Sequence, residues 1–289
     1  MAEIRSEYLN CIAYIYPDAQ SEKDGHGGGT AFHIVARLPL EGWAQAYFVT
    51  AAHLVSSERL NPVIRVNLQD GGATVIQTTY EGWFVDSAND IAVHPVEIDY
   101  SRVQLTVVPV EGFLTKQHII EHRFGPGNDV FVLGRLAGHD GTKRLLPSVR
   151  FGSISMMPSE PFTRSPTSKV DEAFLVEFRS IGGYSGSPAF IHEVPFHLRD
   201  KAAHIHKWSF GPHLLGVDVG HIRKKEPLLS RRIVNSRESY SAVPDRFYET
   251  NTAVAAIVPA WKIVELLDID DVKSSRESDP AYVAAAGSL

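Results

Sequence analysis

The chain is written almost entirely in strand-length pieces. Apolar runs recur over residues 8–16, 30–38, 45–50, 63–68, 74–79 and 91–96, and again over 129–133, 148–156, 173–178, 188–191, 214–219 and 253–258, with turn residues between them. Runs this short, rich in Val, Ile, Phe and Tyr and bounded by Gly, Pro, Asn or Asp, read as strands rather than helices. Two successive antiparallel sets predict an all-β chain. One late segment breaks the pattern: Pro259-Ala260-Trp261-Lys262-Ile263-Val264-Glu265-Leu266-Leu267 opens on proline and carries an apolar face at helical spacing, which predicts a helix. Between 97 and 127 the pattern loosens around Pro109, Pro126 and Gly127, as a crossover between the two sets requires.

Composition narrows this further. With 289 residues, 44% of them hydrophobic, the chain can bury a sizeable core in one large unit or two small ones. Cys11 is the only cysteine, so no intrachain disulfide forms and the scaffold holds by packing alone. That suits a reducing compartment. Residues 1–16 carry Glu3, Arg5 and Glu7 and lack the apolar core of a secretory signal, and no run approaches the roughly 20 apolar residues of a membrane span. The expectation is a cytoplasmic protein without a membrane partner. A net charge of -6 argues against a nucleic-acid-coating role. The basic stretch with Arg223, Lys224, Lys225, Arg231, Arg232 and Arg237 reads as a solvated loop between two strands.

Three short motifs carry chemistry. Gly182-Gly183-Tyr184-Ser185-Gly186-Ser187-Pro188 surrounds one hydroxyl with small residues, which lets a carbonyl approach Ser185 and lets backbone N–H groups point at a developing oxyanion. Tyr47-Phe48-Val49-Thr50-Ala51-Ala52-His53 is an apolar strand ending in an imidazole. Ser87-Ala88-Asn89-Asp90-Ile91-Ala92-Val93 places a carboxylate just before an apolar run, where it is partly buried. Asp86 is the weaker candidate acid, because the run that would bury it begins further on.

In these three motifs the chain resembles the trypsin-like, chymotrypsin-fold serine peptidases of the bacterial type without disulfides. Those read Thr-Ala-Ala-His, then Asp-Ile-Ala, then Gly-x-Ser-Gly-x-Pro, here Thr50 to His53, Asp90 to Ala92 and Gly183 to Pro188. The order His, Asp, Ser is that of the chymotrypsin-type triad. The resemblance covers about residues 8–267 and implies two six-stranded antiparallel β-barrels packed together with a C-terminal helix. It places a first barrel with His and Asp at 8–110, a linker at 111–127, and a second barrel with Ser plus the closing helix at 128–267. A charged tail, expected to be disordered, follows at 268–289.

The resemblance also implies roles. Ser185 is the nucleophile, His53 the general base and then acid, Asp90 the orienting carboxylate, and the N–H groups of Gly183 and Ser185 form the oxyanion hole. It implies a substrate pocket lined by Arg179, Ser180, Asp218 and His221, a peptide or protein substrate, and no metal or cofactor. A catalytically silent barrel that binds peptides is the alternative from another class. Tyr184 stands where the family commonly has Asp or Asn, and Ser187 where it often has Gly.

Two other motifs compete. His26-Gly27-Gly28-Gly29 has the form of a lipase oxyanion motif, but a nucleophile elbow Gly-x-Ser-x-Gly is missing because position 187 is Ser. The glycines read instead as a turn feeding the next strand. His118-Ile119-Ile120-Glu121-His122 has the spacing of an inverted zinc-peptidase motif, yet no third ligand is recognisable, and it reads as a short polar helix in the linker.

Overall fold

The computed structural model describes residues 4–55, 61–165, 168–170, 172–178, 182–191, 212–234, 237–278 and 282–283. A single helical turn, α1 (Ser6–Leu9), precedes β1 (Ile12–Tyr16), so the first strand starts later than its apolar run suggests. Tyr8 is apolar because its ring packs on Phe131 and Phe190, not because it pairs in a sheet. The stretch 18–29 also holds a helix, α2 (Ala19–Asp24). Asp18 caps it by accepting from Ser21 N at 2.7 Å, and Gly25 ends it in the left-handed conformation.

The first set of strands continues with β2 (Gly29–Arg37), β3 (Ala44–Ala51), β4 (Val63–Asn67), β5 (Ala73–Gln77), β6 (Phe84–Asp86), β7 (Ile91–Val96) and β8 (Val108–Pro109). They form an eight-stranded sheet in the order β5-β4-β1-β2-β3-β7-β6, with β8 pairing parallel to β2. Among the described residues this path does not close, so the first unit is an open eight-stranded sheet where a closed six-stranded barrel was expected. Two short strands account for the difference in number: β6 and β8 had no apolar run of their own to announce them. Helix α3 (Lys116–Glu121) follows, capped by Thr115 through His118 N, in the segment read as a short polar helix.

The second set is β9 (Asp129–Gly134), β10 (Ser148–Met156), a small hairpin of β11 (Phe162–Ser165) and β12 (Ser168–Val170), then β13 (Phe174–Glu177), β14 (Pro188–Ile191), β15 (His213–Val234) and β16 (Arg237–Pro259). Six of these close into a barrel, β10-β13-β16-β15-β14-β9. The basic stretch read as a loop belongs to two strands. β15 and β16 pair from Gly216 opposite Pro259 out to Val234 opposite Arg237 and form a long ribbon. Cross-strand pairs such as Arg223–Glu249 at 3.1 Å, with Lys224–Glu226 at 2.9 Å along one strand, replace the apolar alternation that would have marked it.

Burial explains why so many strands are apolar at every position. Ile12, Tyr14 and Tyr16 on one face of β1 enter a cluster shared by both units, whereas Ala13 and Ile15 on the other face enter the core of the first sheet. Phe131 and Leu133 of β9 join the shared cluster, and Val130 and Val132 fill the second barrel. Strands buried on both faces lose the period-two alternation. Helix α4 (Ala260–Leu267) seals the shared cluster with Ile263, Leu266 and Leu267.

The tail expected to be disordered carries a further helix, α5 (Asp270–Glu277). Val272 on it is buried, and beyond it Tyr282 packs edge-on against Trp43 with ring centroids 5.6 Å apart. One apolar residue in a run of charges gives no helical period to read. Among the described residues no helix is long and apolar enough to cross a membrane.

Two histidines sit neutral within the first sheet, His33 fully buried and His94 half-buried. His33 donates from Nδ1 to Thr106 O at 3.1 Å, and His94 donates to Gly82 O at 2.7 Å while stacking on Trp83. Burial lowers both pKa values, only partly offset by those hydrogen bonds. The folded-state values lie below the ordinary value of about 6.5, so the unfolded chain takes up protons first as pH falls. Their contribution is fully present above that value and is lost below it. The urea midpoint is therefore expected to drop between pH 7 and pH 5, with a shallower drop in a His33→Gln/His94→Gln chain. A double variant with an undiminished slope would show that other groups govern it.

Candidate active site

Strands β3 and β7 pair with Ala51 opposite Ile91, which brings the residues just beyond their ends together. His53 lies in the 3₁₀ turn Ala52–Leu54 that follows β3, and Asp90 is the residue before β7. The join is held three ways. Ala52 N donates to Asp90 O at 2.9 Å, His53 N donates to Asp90 Oδ1 at 2.8 Å, and His53 Nδ1 lies 2.8 Å from Asp90 Oδ2 and 3.1 Å from Oδ1. A carboxylate only accepts, so these contacts put the imidazole proton on Nδ1 and leave the lone pair of Nε2 for a substrate-side proton. Asp90 is 7% exposed and sits at φ 57°, a left-handed conformation that Asp adopts more readily than most residues. Asp86, the weaker candidate acid, is occupied in shaping the turn: it accepts from Ala88 N, Asn89 N and Asn89 Nδ2.

Ser185 belongs to the turn between β13 and β14, and this turn is pressed against the strand ends that carry His53. A Cβ at Gly29 would lie 2.6 Å from both Ser185 O and Leu54 Cδ1, so residues 29, 54 and 185 meet. A Cβ at Gly186, where φ is 85°, would lie 2.4 Å from Thr50 Oγ1 and 2.0 Å from Thr30 O. Only glycine permits that approach. A hydrogen bond from the Ser185 hydroxyl to the imidazole is not among those of the described residues; in substrate-free hydrolases such bonds are commonly long and tighten in the Michaelis complex.

The two amides assigned to an oxyanion hole are aimed by their own peptide planes. Gly182 O accepts from Ala137 N at 3.3 Å, and because the peptide is planar and trans the Gly183 N–H points the opposite way. In the same manner Tyr184 O accepts from Ser187 N at 2.9 Å, which points the Ser185 N–H the opposite way. Gly183 has φ 97°, and a Cβ there would come within 2.6 Å of Arg135 O. Glycine is required at this position on both counts.

Behind the turn the site is unusual. Tyr184 is fully buried, its hydroxyl lies 2.6 Å from Ser148 Oγ, and the Arg150 guanidinium stands 5.2 Å from its ring centroid. Burial raises its pKa, so the phenol stays neutral. Ser187 is also buried, and its hydroxyl fills the space over Gly134, where a Cβ would lie 2.1 Å from it.

Of the expected pocket residues, Arg179 and Ser180 lie outside the described residues. Asp218 is fully buried; its Oδ1 accepts from Gly220 N at 2.8 Å, its N–H donates to Ser187 O and its carbonyl accepts from Gly186 N. It braces the serine turn from the β15 side. His221 is half-buried on β15, opposite Ala255.

The motif at 118–122 gains a neighbour that its spacing does not reveal. The His118 ring lies 6.0 Å from that of His122 and 5.1 Å from that of His213 at the start of β15. Among the described residues no group of three or more His, Cys, Asp or Glu side chains stands at metal-binding distance.

Sequence reasoning missed a buried ion pair beside the site. Arg135 is 1% exposed, binds Asp140 through Nε and Nη2 at 2.9 and 2.7 Å, reaches the carbonyls of Gly25 and Gly27, and lies over the Tyr16 ring. Its partners are spread over more than 100 residues of chain, so no local signal marks it. The latch fixes the glycine turn at 25–28 to the end of β9.

No family model matches the chain, and no curated protein matches it in sequence. Solved structures do. The MamO protease domain from Magnetospirillum magneticum matches with a TM-score of 0.50 at 13% identity, over 91% of this chain and 98% of that one. Human heparin binding protein matches with a TM-score of 0.48 at 10% identity, over 92% and 93%. A glutamic acid-specific serine protease, described as using a novel histidine triad in substrate binding, matches with a TM-score of 0.40 at 16% identity, over 87% and 94%. With its closed barrel, second sheet and C-terminal helix, the chain has the chymotrypsin-like fold of the trypsin-like serine proteases.

Proposed function

We propose that the chain is a serine endopeptidase. The observation that carries this reading is the His53–Asp90 pair at 2.8 Å, with the Ser185 turn packed against the same strand ends. Ser185 Oγ attacks a peptide carbonyl while His53 Nε2 takes its proton, and the tetrahedral oxyanion is received by the N–H groups of Gly183 and Ser185. His53 then delivers the proton to the leaving amine, which departs and leaves an acyl-enzyme. Water, deprotonated by the same imidazole, attacks the ester and frees the acid product. Asp90 holds the proton on Nδ1 and stabilises the imidazolium in both halves.

Substrates are peptides or proteins, Asp218 is taken up in bracing the turn rather than in meeting a substrate side chain, and no step calls for a metal or cofactor. A fluorophosphonate probe is expected to label Ser185, in stoichiometric amount and equally after exhaustive chelation. Labelling elsewhere, or a folded chain inert to the probe and to a peptide library, identifies a silent barrel instead. Loss of labelling on chelation and its return with zinc would assign the chemistry to the histidines at 118 and 122.

A further inference from the structure

Resting on the peptidase reading, one residue outside the triad stands out by its bonding. Thr30, near the start of β2, is fully buried and engaged through every polar atom. Its N–H donates to Ser185 O at 2.8 Å. Its hydroxyl donates to Gly183 O at 2.8 Å and accepts from Arg135 N at 2.9 Å. Its carbonyl accepts from Thr50 Oγ1 at 2.7 Å. A single side chain thus joins the first sheet to the turn that carries both oxyanion amides.

We propose that the Thr30 hydroxyl is the positioning group of the oxyanion hole. The amides of Gly183 and Ser185 belong to the peptides 182–183 and 184–185, and each is aimed by the carbonyl on its far side. What sets the angle between them is the intervening peptide 183–184. Gly183 lacks a Cβ, so this peptide would rotate at little cost if left unanchored. Its carbonyl is the one that Thr30 Oγ1 holds.

The hydroxyl has one proton, and its direction is forced. Arg135 N–H occupies a lone pair of the same oxygen, and the Arg135 backbone cannot retreat because its guanidinium is locked to Asp140 and to the carbonyls of Gly25 and Gly27. The proton is therefore committed to Gly183 O. In this chain a neutral hydrogen bond backed by a buried ion pair orders the hole from the β2 side, while the Tyr184 ring supports it from below.

Two variants separate positioning from packing. Thr30→Val keeps the shape and the N–H but deletes the hydroxyl, and Thr30→Ser restores it. The Val chain is expected to lose about 10- to 100-fold in kcat with KM within about twofold, since an oxyanion contact acts in the transition state. Its affinity for a peptide boronic acid, whose adduct is tetrahedral, falls in parallel, whereas Thr30→Ser stays within about threefold of the parent. Hydrogen exchange supplies a readout that needs no turnover: amides 182–186 should exchange faster in the Val chain while those of β9 and β14 do not. Unchanged exchange at the turn overturns the proposal even if the parent hydrolyses nothing. An active parent with an equally active Val chain overturns it while leaving the peptidase reading intact.

Discussion

Replacing Ser185 by Ala is expected to leave the chain folded, with an unchanged thermal midpoint, and to lower peptide hydrolysis by roughly 10⁴-fold or more. The side chain is short, half-buried and outside the hydrophobic clusters, so its loss opens no cavity of consequence. The turn keeps its hold, because Ser185 contributes its backbone carbonyl to Thr30 N and not its hydroxyl. His53→Ala is expected to cost about as much, since a nucleophile without its base and a base without its nucleophile fail alike. The double variant should be little worse than either single one, and this non-additivity is the mark of groups acting as a unit. If instead the two losses multiply, or a well-folded Ser185→Ala chain keeps most of its hydrolysis, the reaction runs through other residues.

The three motifs were legible because each is a strand end. A short apolar run followed or preceded by one polar residue states where the chain leaves the sheet, and the ends of β3, β7 and the turn before β14 are where His53, Asp90 and Ser185 stand. The closing helix was legible for the same reason, as a local change of period. What joins the motifs was not. Thr30, Arg135 and Asp140 look like ordinary strand-end or loop residues, and their meaning lies in partners 105 and 153 positions away along the chain. The ribbon and α5 were hidden by charge: cross-strand ion pairs serve where apolar alternation would have been read, and a helix docking through Val272 shows no stripe. The short strands β6 and β8, which raise the first sheet from six strands to eight, are too brief to show a period of their own.

The second large effect concerns Tyr184. In zymogens of the trypsin-like family a freed N-terminal amine pairs with an acidic side chain just before the serine and orders the oxyanion loop. Tyr184 has no carboxylate, and its place is filled by packing: a fully buried ring, a hydroxyl 2.6 Å from Ser148 Oγ, Arg150 at 5.2 Å over one face and Phe178 at 6.4 Å. Its carbonyl accepts from Ser187 N, so anchoring the ring also aims the Ser185 amide. Cleavage upstream of β1 therefore has no charge pair to create, and the uncut chain should react with a fluorophosphonate. Removing the ring should do what withholding the amine does in a zymogen. Tyr184→Ala is expected to cost roughly 3–5 kcal/mol of stability, as large-to-small aromatic changes in cores do, and to lower kcat by more than about 100-fold in whatever fraction remains folded. Tyr184→Phe keeps the ring and gives up one hydrogen bond, about 1 kcal/mol, with kcat within a few-fold of the parent. Urea titration with single-turnover kinetics on the three chains, and mass spectrometry of the labelled species, decide the matter. Should Tyr184→Phe prove as inactive as Tyr184→Ala, or should label appear only on chains cut ahead of Ile12, order in the turn comes from something other than this packed ring.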